Sequence, residues 1–235
     1  MALLSEKKRE AIRERLKELS NPVRLVHFTQ ELECASCAET RRLLEELAAL
    51  SEMITLEVYN FQLDADKVRQ YGVDKVPATA VVGEKDYGIR LYGALVGYEF
   101  AVLLEDILLV SSGGARLAAE TLECLRSLAQ PMHLEVLVTP RCPYCPAVAR
   151  MAHQLALASE WITADVVAAT EYPDLVMRYA VRGVPKTVIN EMHGIEGAVP
   201  ESEFVAAVMQ TARRDQRAAM RDAQKTESLR ATRDL

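Results

Sequence analysis

Cys34-Ala35-Ser36-Cys37 and Cys142-Pro143-Tyr144-Cys145 are two Cys-x-x-Cys pairs that lie 108 residues apart in this chain of 235 residues. Each pair is followed by a Val-Pro dipeptide, Val76-Pro77 for the first pair and Val184-Pro185 for the second. The first cysteine precedes the proline by 43 positions in both cases. A dithiol pair with a distant proline is typical of a redox site, so the sequence predicts such a site twice.

Similarity between the two halves of the chain extends beyond these motifs. With a shift of 108 positions, Val68–Val73 aligns with Val176–Val181, and Val76–Thr79 aligns with Val184–Thr187. The shift becomes 109 before the cysteine pairs and 104 after the Val-Pro dipeptides, as expected where loops differ in length. The chain therefore contains an internal repeat of about 105 residues, which is close to the usual size of a domain.

The repeat predicts two domains, residues 1–112 and residues 113–212, with Ser111-Ser112-Gly113-Gly114 as the linker. Residues 213–235 lie outside the repeat, and we predict that they form a charged, solvated tail. This tail has three more positive than negative charges, from Arg213, Arg214, Arg217, Arg221, Lys225, Arg230 and Arg233 against Asp215, Asp222, Glu227 and Asp234.

Both halves have the same predicted order of helices and strands. Apolar residues at helical spacing predict helices, and short runs rich in β-branched residues predict strands. Strands that alternate with helices predict a parallel start to each sheet, and the two late strands predict a hairpin. We predict helices at 4–19, 40–50, 64–71, 99–110, 115–129, 146–158, 173–179 and 201–212, and strands at 23–29, 54–59, 79–82, 88–92, 133–138, 161–167, 186–190 and 193–196.

This order resembles the thioredoxin fold, in which a Cys-x-x-Cys lies at the first strand-to-helix turn and a proline precedes the third strand. Two such units in one chain resemble the protein disulfide oxidoreductases of thermophilic prokaryotes, which are also called glutaredoxin-like proteins. The resemblance covers residues 5–212, and Cys142-Pro143-Tyr144-Cys145-Pro146 matches the C-terminal site of that family. The predicted fold class is α/β, with two tandem thioredoxin-like domains that each contain a mixed four-stranded sheet flanked by helices.

Thiol–disulfide exchange requires an exposed, partly ionised thiol and a second thiol that resolves the mixed disulfide. At a helix N-terminus, unpaired N–H groups and the helix dipole favour the thiolate of the first cysteine. The second cysteine lies one turn further along the helix. We therefore predict that Cys34 and Cys142 are the nucleophiles, and that Cys37 and Cys145 are the resolving thiols. The predicted enzyme reduces, forms or isomerises protein disulfides.

The resemblance also implies substrate-binding residues beside the sulfurs. It implies that Val76-Pro77 and Val184-Pro185 are cis peptide bonds, and that the residue before each proline offers its backbone to an extended substrate strand. Val76, Pro77, Val184 and Pro185 are therefore expected to bind substrate. Tyr144 lies inside the second dithiol loop, where it either contacts substrate or covers the sulfurs.

The charges that flank the two pairs differ. Glu33 precedes Cys34, whereas Arg141 precedes Cys142. An anion raises the pKa of a neighbouring thiol and a cation lowers it, and Pro143 suits the first position of a helix. We therefore predict that Cys142 is the more acidic and the faster-reacting thiol. The alternative is that both flanking charges point to solvent and have little effect.

Thioredoxins carry a buried acid in the strand, six residues before the first cysteine. Phe28 and Val136 stand at these positions here. Proton transfer at the resolving thiol must then involve another group, and Glu33 is the only near candidate by sequence. This difference favours behaviour closer to that of glutaredoxins.

Four cysteines in two pairs also permit other interpretations. Structural zinc sites combine nearby Cys-x-x-Cys motifs in compact loops, and a separation of 108 residues argues against such a site. A glutathione-dependent glutaredoxin is the alternative enzyme, and a metal-binding or holdase module without turnover is the alternative binding protein. The unpaired Cys124 is predicted to be a small buried residue on or beside an apolar helical stripe. The four histidines have no spacing that suggests catalysis.

Composition and motifs restrict the partners. No Gly-x-Gly-x-x-Gly fingerprint is present, so we predict no cofactor or metal, and expect NADPH and flavin to belong to a partner. The resemblance implies an electron donor of the thioredoxin reductase type and a peroxiredoxin among the targets.

The net charge of −6 argues against a nucleic-acid partner, which needs a basic face. No signal peptide and no apolar run of membrane-spanning length is found, so we expect a cytoplasmic protein without a membrane partner.

Overall fold

The structure, a computed structural model, describes residues 3–231, with side chains described as far as Arg221. Helices and strands alternate along both halves of the chain, as predicted. The helices are α1 (Glu6–Leu16), α2 (Cys37–Ala48), α3 (Ala65–Tyr71), α4 (Tyr98–Ser112), α5 (Ala119–Arg126), α6 (Cys145–Ala158), α7 (Pro173–Arg178) and α8 (Glu201–Ala231). The strands are β1 (Val23–Thr29), β2 (Ile54–Asn60), β3 (Ala78–Val82), β4 (Asp86–Tyr92), β5 (Met132–Val138), β6 (Ile162–Ala168), β7 (Lys186–Ile189) and β8 (His193–Glu196).

The eight strands form one continuous sheet in the order β2-β1-β3-β4-β6-β5-β7-β8. Strands β1 to β4 come from the first half of the chain and β5 to β8 from the second. Parallel pairing of β4 with β6 joins the two groups, from Ile89 opposite Ala164 to Tyr92 opposite Val167. The sequence predicted four strands in each half, and the structure joins them because pairing of β4 with β6 satisfies backbone groups that two separate sheets would leave exposed at their edges.

Six of the eight strands run in the same direction, and only β3 and β7 run antiparallel to their neighbours. The carboxyl ends of β1, β4, β5 and β6 therefore lie at one edge of the sheet, which we call the carboxyl edge. Each Cys-x-x-Cys pair follows a strand that ends there, β1 for the first pair and β5 for the second. The fold thus brings both dithiol pairs to the same side of the molecule.

One face of the sheet carries a hydrophobic core that is continuous across both halves. It extends from Leu44 of α2, through Leu103 of α4 and Ala149 of α6, to Phe204 of α8. On the opposite face, two smaller clusters pack beneath the short helices α3 and α7. The larger core therefore stabilises the junction of the two halves as well as each half.

Helices α4 and α6 come from different halves and pack against each other on this core face. Asp106 and His153, both fully buried, meet across their interface with Oδ1 2.9 Å from Nδ1. The backbone N–H of Tyr98, at the start of α4, donates to the carbonyl oxygen of Pro140 in the loop before α6. The two helices therefore begin together at the carboxyl edge and run parallel.

The last helix is longer than predicted. Helix α8 begins at Glu201, as predicted, but continues to Ala231 instead of ending near residue 212. Residues 213–221 contain no glycine or proline and are rich in arginine and alanine, which favour a helix. The first part of the predicted tail is therefore helical, while residues 232–235 and the side chains after Arg221 lie outside the described part of the chain.

Candidate functional site

The first dithiol pair lies in the loop between β1 and α2, at the carboxyl edge. Cys34 and Cys37 form a disulfide, with Cα atoms 5.5 Å apart. Helix α2 begins at Cys37, which is only 1% exposed, whereas Cys34 is half-buried. The sulfur that a partner molecule can reach is therefore that of Cys34.

The second pair has the same arrangement in the loop between β5 and α6. Cys142 and Cys145 form a disulfide, also with Cα atoms 5.5 Å apart, and α6 begins at Cys145. The backbone N–H of Cys145 donates to Sγ of Cys142 at 3.1 Å. An amide at a helix N-terminus directed at a sulfur stabilises the thiolate. The prediction that Pro143 takes the first helical position is wrong, because Tyr144 is the N-cap of α6 and Pro143 lies before it; Pro146 is the proline in the first turn.

The cysteines of the second pair are less exposed to solvent than expected for an attacking thiol. Cys142 is 8% exposed and Cys145 is buried. Tyr144, between them, is 67% exposed. Cys142 is therefore less accessible than the half-buried Cys34 of the first pair.

Both Val-Pro dipeptides lie next to the dithiol loops. Val76-Pro77 and Val184-Pro185 are cis, as the family resemblance implies. The Pro77 carbonyl accepts a hydrogen bond from the Gly93 N–H at 2.9 Å, and the Pro185 carbonyl accepts one from Gly197 at 2.8 Å. At the second site, the carbonyl oxygen of Val184 is 3.7 Å from Sγ of Cys142. The backbone before the proline thus borders the reactive sulfur.

The loop between the strand and the first cysteine is one residue longer at the first site, after β1, than at the second site, after β5. This difference changes which side chain of the strand lies beneath each cysteine pair. Val136 belongs to the core beneath α6, but Phe28 belongs to the cluster on the α3 face. Because side chains alternate along a strand, His27 faces α2 at the position that sequence spacing assigned to Phe28. His27 is fully buried, with Nδ1 3.1 Å from Oγ1 of Thr79. Burial lowers its pKa to about 4, so the imidazole is neutral at pH 7.

The loop after β6, in the second half of the chain, contacts the first dithiol site. Glu171 accepts hydrogen bonds from Oγ of Ser36, inside the first Cys-x-x-Cys, and from the backbone N–H of Ala94, after β4. The hydroxyl of Tyr172 donates to the carbonyl oxygen of Pro77 at 3.4 Å. The first site therefore contains groups from both halves, which sequence spacing did not predict.

A buried acid lies between the two sites, at the start of α4. Glu99 is 4% exposed, and neither of its carboxylate oxygens has a hydrogen-bond partner within the described residues. Burial raises its pKa to about 7, with a smaller contribution from the charge of Glu171. Glu99 lies two helical turns before Asp106 on α4, so the two side chains project from the same face of the helix. Because Asp106 contacts His153 of α6, Glu99 faces the first turn of α6.

The residues that flank the reactive cysteines are exposed at both sites. This holds for Glu33 before the first pair and for Arg141 before the second. Glu33 also has a positive φ of 57°, in a sharp turn of the loop. The greater acidity of Cys142 stays a prediction.

The prediction for Cys124 is wrong. Cys124 lies on α5 and is exposed and unpaired. Helix α5 buries Thr121 and Leu125, and successive residues point about 100° apart around a helix. Cys124 therefore lies beside the apolar stripe, where it is exposed to solvent and not buried as predicted.

Neither a metal cluster nor a membrane-spanning helix is found in the part of the chain that the structure describes. Within it, no three or more histidine, cysteine, aspartate or glutamate side chains are grouped so that they could hold a metal ion. In the same residues, no helix has both the length and the apolar character needed to cross a membrane.

Comparisons with known proteins agree with this geometry. A family model described as a thioredoxin domain matches residues 132–210. A protein disulfide oxidoreductase from Aeropyrum pernix K1 has a TM-score of 0.83 and 32% sequence identity, and the match covers 89% of this chain and 94% of that one. The NTD_N/C domain of alkyl hydroperoxide reductase AhpF from Enterococcus faecalis has the same fold, with a TM-score of 0.80, 24% identity and coverage of 87% and 99%.

Curated relatives include the alkyl hydroperoxide reductase AhpF of Xanthomonas campestris pv. phaseoli, which is 26% identical over 191 residues. That match covers 81% of this chain and 33% of the relative. The chain thus spans about a third of the length of the curated relatives it matches.

The described geometry and the comparisons lead to the same assignment. The chain has a mixed α/β thioredoxin-like fold with two Cys-x-x-Cys centres, and these centres support dithiol–disulfide exchange. The match to the Aeropyrum pernix enzyme extends over nearly the whole of both chains. The chain therefore belongs to the protein disulfide oxidoreductase family.

Proposed function

We propose that this chain reduces, forms or isomerises disulfides of protein substrates at two separate dithiol sites. The observation that carries the proposal is the repeated combination of a Cys-x-x-Cys at a helix N-terminus with an adjacent Val-Pro. In reduction, the thiolate of the first cysteine attacks a substrate disulfide, and one substrate sulfur leaves as a thiolate that takes up a proton. The second cysteine then loses its proton and attacks the mixed disulfide, which releases the other substrate thiol and leaves the enzyme pair oxidised.

The cysteine roles are part of this proposal. Cys34 and Cys142 are the nucleophiles, and Cys37 and Cys145 resolve the mixed disulfides. The greater exposure of the first cysteine in each pair supports this assignment. The hydrogen bond from the Cys145 N–H to Sγ of Cys142 also supports it, because the amide favours negative charge on the attacking sulfur.

Substrate recognition is proposed to use backbone groups beside the prolines. Val76 and Pro77 at the first site, and Val184 and Pro185 at the second, would pair with an extended segment of the substrate. The carbonyl oxygen of Val184, 3.7 Å from Sγ of Cys142, supports this role because it can accept a hydrogen bond from the substrate backbone. Tyr144 would add an exposed aromatic contact at the second site.

The proposed organisation is two tandem thioredoxin-like units, residues 1–112 and 113–212, each with four strands, followed by a charged segment at 213–235. The repeated element order supports it, as does the division of the sheet into one group of four strands from each half. Residues that pair in equivalent registers, such as Phe28 with Ala78 and Leu137 with Lys186, provide further support.

The two sites are proposed to act independently on substrate. Strands β1 and β5 are separated by β3, β4 and β6, so four strand spacings of about 4.8 Å place the strand ends ~19 Å apart. A disulfide bond requires two sulfurs in direct contact. Electrons therefore pass between the sites only through another molecule, such as a substrate or an electron donor.

The proposed partners are protein disulfides, an electron donor of the thioredoxin reductase type and a peroxiredoxin, in the cytoplasm. The names of the relatives support a peroxide-linked role, because several are components of alkyl hydroperoxide reductase. The sequence has no dinucleotide fingerprint, so NADPH and flavin would be bound by the donor.

Dithiothreitol-driven reduction of insulin tests the proposal. We expect wild type to be active, Cys34→Ser and Cys142→Ser each to retain the activity of the remaining site, and the double variant to be inactive. Cys124→Ser is the matched control, because Cys124 is exposed but lies outside both sites. Activity that remains in the double variant would contradict the proposal, and activity with glutathione and glutathione reductase alone would favour a glutaredoxin.

A further inference from the structure

Glu171 belongs to the second half of the chain by sequence and to the first dithiol site by position. Its carboxylate accepts hydrogen bonds from Oγ of Ser36 and from the backbone N–H of Ala94. It therefore ties the dipeptide between Cys34 and Cys37 to the loop that follows β4. We propose that Glu171 is a positioning residue of the first dithiol site, which holds the loop around Cys34 and makes ionisation of that thiol less favourable.

The structure contains a dedicated space for this carboxylate. Gly93 has a positive φ of 99°, and a Cβ atom there would lie 2.9 Å from Oε1 of Glu171 and 2.6 Å from Cβ of Ala168. Only glycine combines this backbone conformation with the close approach. The next residue, Tyr172, donates to the carbonyl oxygen of Pro77. Adjacent residues of the second half thus contact both the dithiol dipeptide and the proline of the first site.

The expected effect of Glu171 on the ionisation of the Cys34 thiol follows from the negative charge of the carboxylate. The thiolate of Cys34 is stabilised by the N-terminus of α2, and a carboxylate bonded to Ser36 occupies the same region. A second negative charge at short range disfavours ionisation of a thiol. Removal of the Glu171 charge should therefore increase the fraction of Cys34 that is thiolate at neutral pH.

Other charged groups surround this position and remain when Glu171 is changed. Glu33 lies in the dithiol loop, and Glu39 lies in the first turn of α2. Lys8 of α1 lines the same groove as Ser36 and Glu39. Glu99 of α4 is close enough to Glu171 for the charge of Glu171 to raise its pKa. A substitution at Glu171 thus changes one charge in a region where acids outnumber bases.

The second dithiol site has no equivalent contact within the repeat. With the shift of 108 positions, Glu171 corresponds to Leu63, which is 82% exposed. Ser36 corresponds to Tyr144, whose side chain is also largely exposed. Glu171 therefore distinguishes the first site from the second. The inference depends on the proposed function only in that Cys34 is taken as the attacking thiol.

The test is alkylation of the reduced full-length chain by iodoacetamide across a range of pH, with each cysteine followed by peptide mass spectrometry. Glu171→Gln keeps an acceptor for the Ala94 N–H but removes the charge. In this variant the acid dissociation constant of Cys34, read from the midpoint of its alkylation profile, should rise about three- to tenfold, while that of Cys142 should change by less than about 1.5-fold because of its distance. Asp174→Asn, which removes an exposed acid nearby on α7, should leave both profiles unchanged.

Two outcomes would overturn the inference. One is a Cys34 profile that is the same in Glu171→Gln and in wild type. The other is an equal shift at Cys34 and Cys142, which would indicate a general change in the field of the protein. Ser36→Ala removes the hydrogen bond and keeps the charge, so it should shift Cys34 less than Glu171→Gln does. Insulin reduction by Cys34→Ser tests the catalytic role separately, because the alkylation profile does not depend on turnover.

Discussion

Replacement of Glu99 by glutamine should stabilise the protein at neutral and alkaline pH and have little effect near pH 4.5. Glu99 is buried at the start of α4, and neither carboxylate oxygen has a partner within the described residues. Burial raises its pKa from 4.5 to about 7. Glutamine has the same shape as the protonated acid but never carries the charge.

The sign and size of the effect follow from proton linkage. Between pH 4.5 and 7, the unfolded chain releases the Glu99 proton while the folded chain keeps it. The contribution of Glu99 to the free energy of unfolding therefore falls as pH rises through this interval, by about 1.4 kcal/mol per pH unit. Above pH 7, ionisation of the buried Glu99 has lowered the free energy of unfolding by about 3 kcal/mol in total. Glutamine does not ionise, so Glu99→Gln does not lose this stability.

Urea unfolding of the oxidised proteins at pH 4.5, 7 and 8.5, followed by circular dichroism, measures this difference. We expect Glu99→Gln to match wild type at pH 4.5 and to exceed it by about 3 kcal/mol at pH 8.5. Glu203→Gln is the matched control, because Glu203 is an exposed acid in the first turn of α8. A stability difference that is the same at all three pH values would refute the reasoning, since it would not arise from ionisation of Glu99.

Three further expectations concern other contacts. Asp106→Ala leaves His153 buried without its carboxylate, and it should lower the free energy of unfolding by about 3 kcal/mol in urea titrations. Gly97→Ala would place a Cβ atom 2.4 Å from a carbonyl oxygen of the loop before α6, at a φ of 58°, and thermal unfolding should show a loss of more than about 1 kcal/mol. Cys142 should be alkylated at lower pH than Cys34, and identical profiles would contradict the predicted asymmetry of the two sites.

Local patterns in the sequence were sufficient to predict the dithiol sites and the order of elements. The equal spacing between each Cys-x-x-Cys and its Val-Pro is visible without any knowledge of packing, and the structure has both dipeptides in the cis form, with Val184 beside the sulfur of Cys142. Element order follows from apolar periodicity, which depends on residues near in sequence. The extension of α8 was not predicted, because the repeat that guided the helix boundaries ends near residue 212.

The contacts between the halves could not be predicted in the same way. Glu171 meets Ser36 across 135 positions of sequence, and this contact depends on the pairing of β4 with β6, for which the sequence carries no local signal. His27 was missed for a different reason, because one additional loop residue moves Phe28 to the opposite face of the sheet. Glu99 had a usable signal, since it stands beside apolar residues in the first turns of a mainly apolar helix, and such an acid indicates a buried charge or a special environment.

Joining the two halves through one sheet has a consequence that duplication alone would not have. Two units on a flexible linker could approach each other and exchange their disulfides directly. Parallel pairing of β4 with β6, together with the packing of α4 on α6, instead fixes both sites at one edge. A separation of ~19 Å between β1 and β5 is too large for contact between their sulfurs. The same pairing brings Glu171 to the first site, so the feature that keeps the dithiols apart also gives the first site a carboxylate contact that the repeat does not provide at the second.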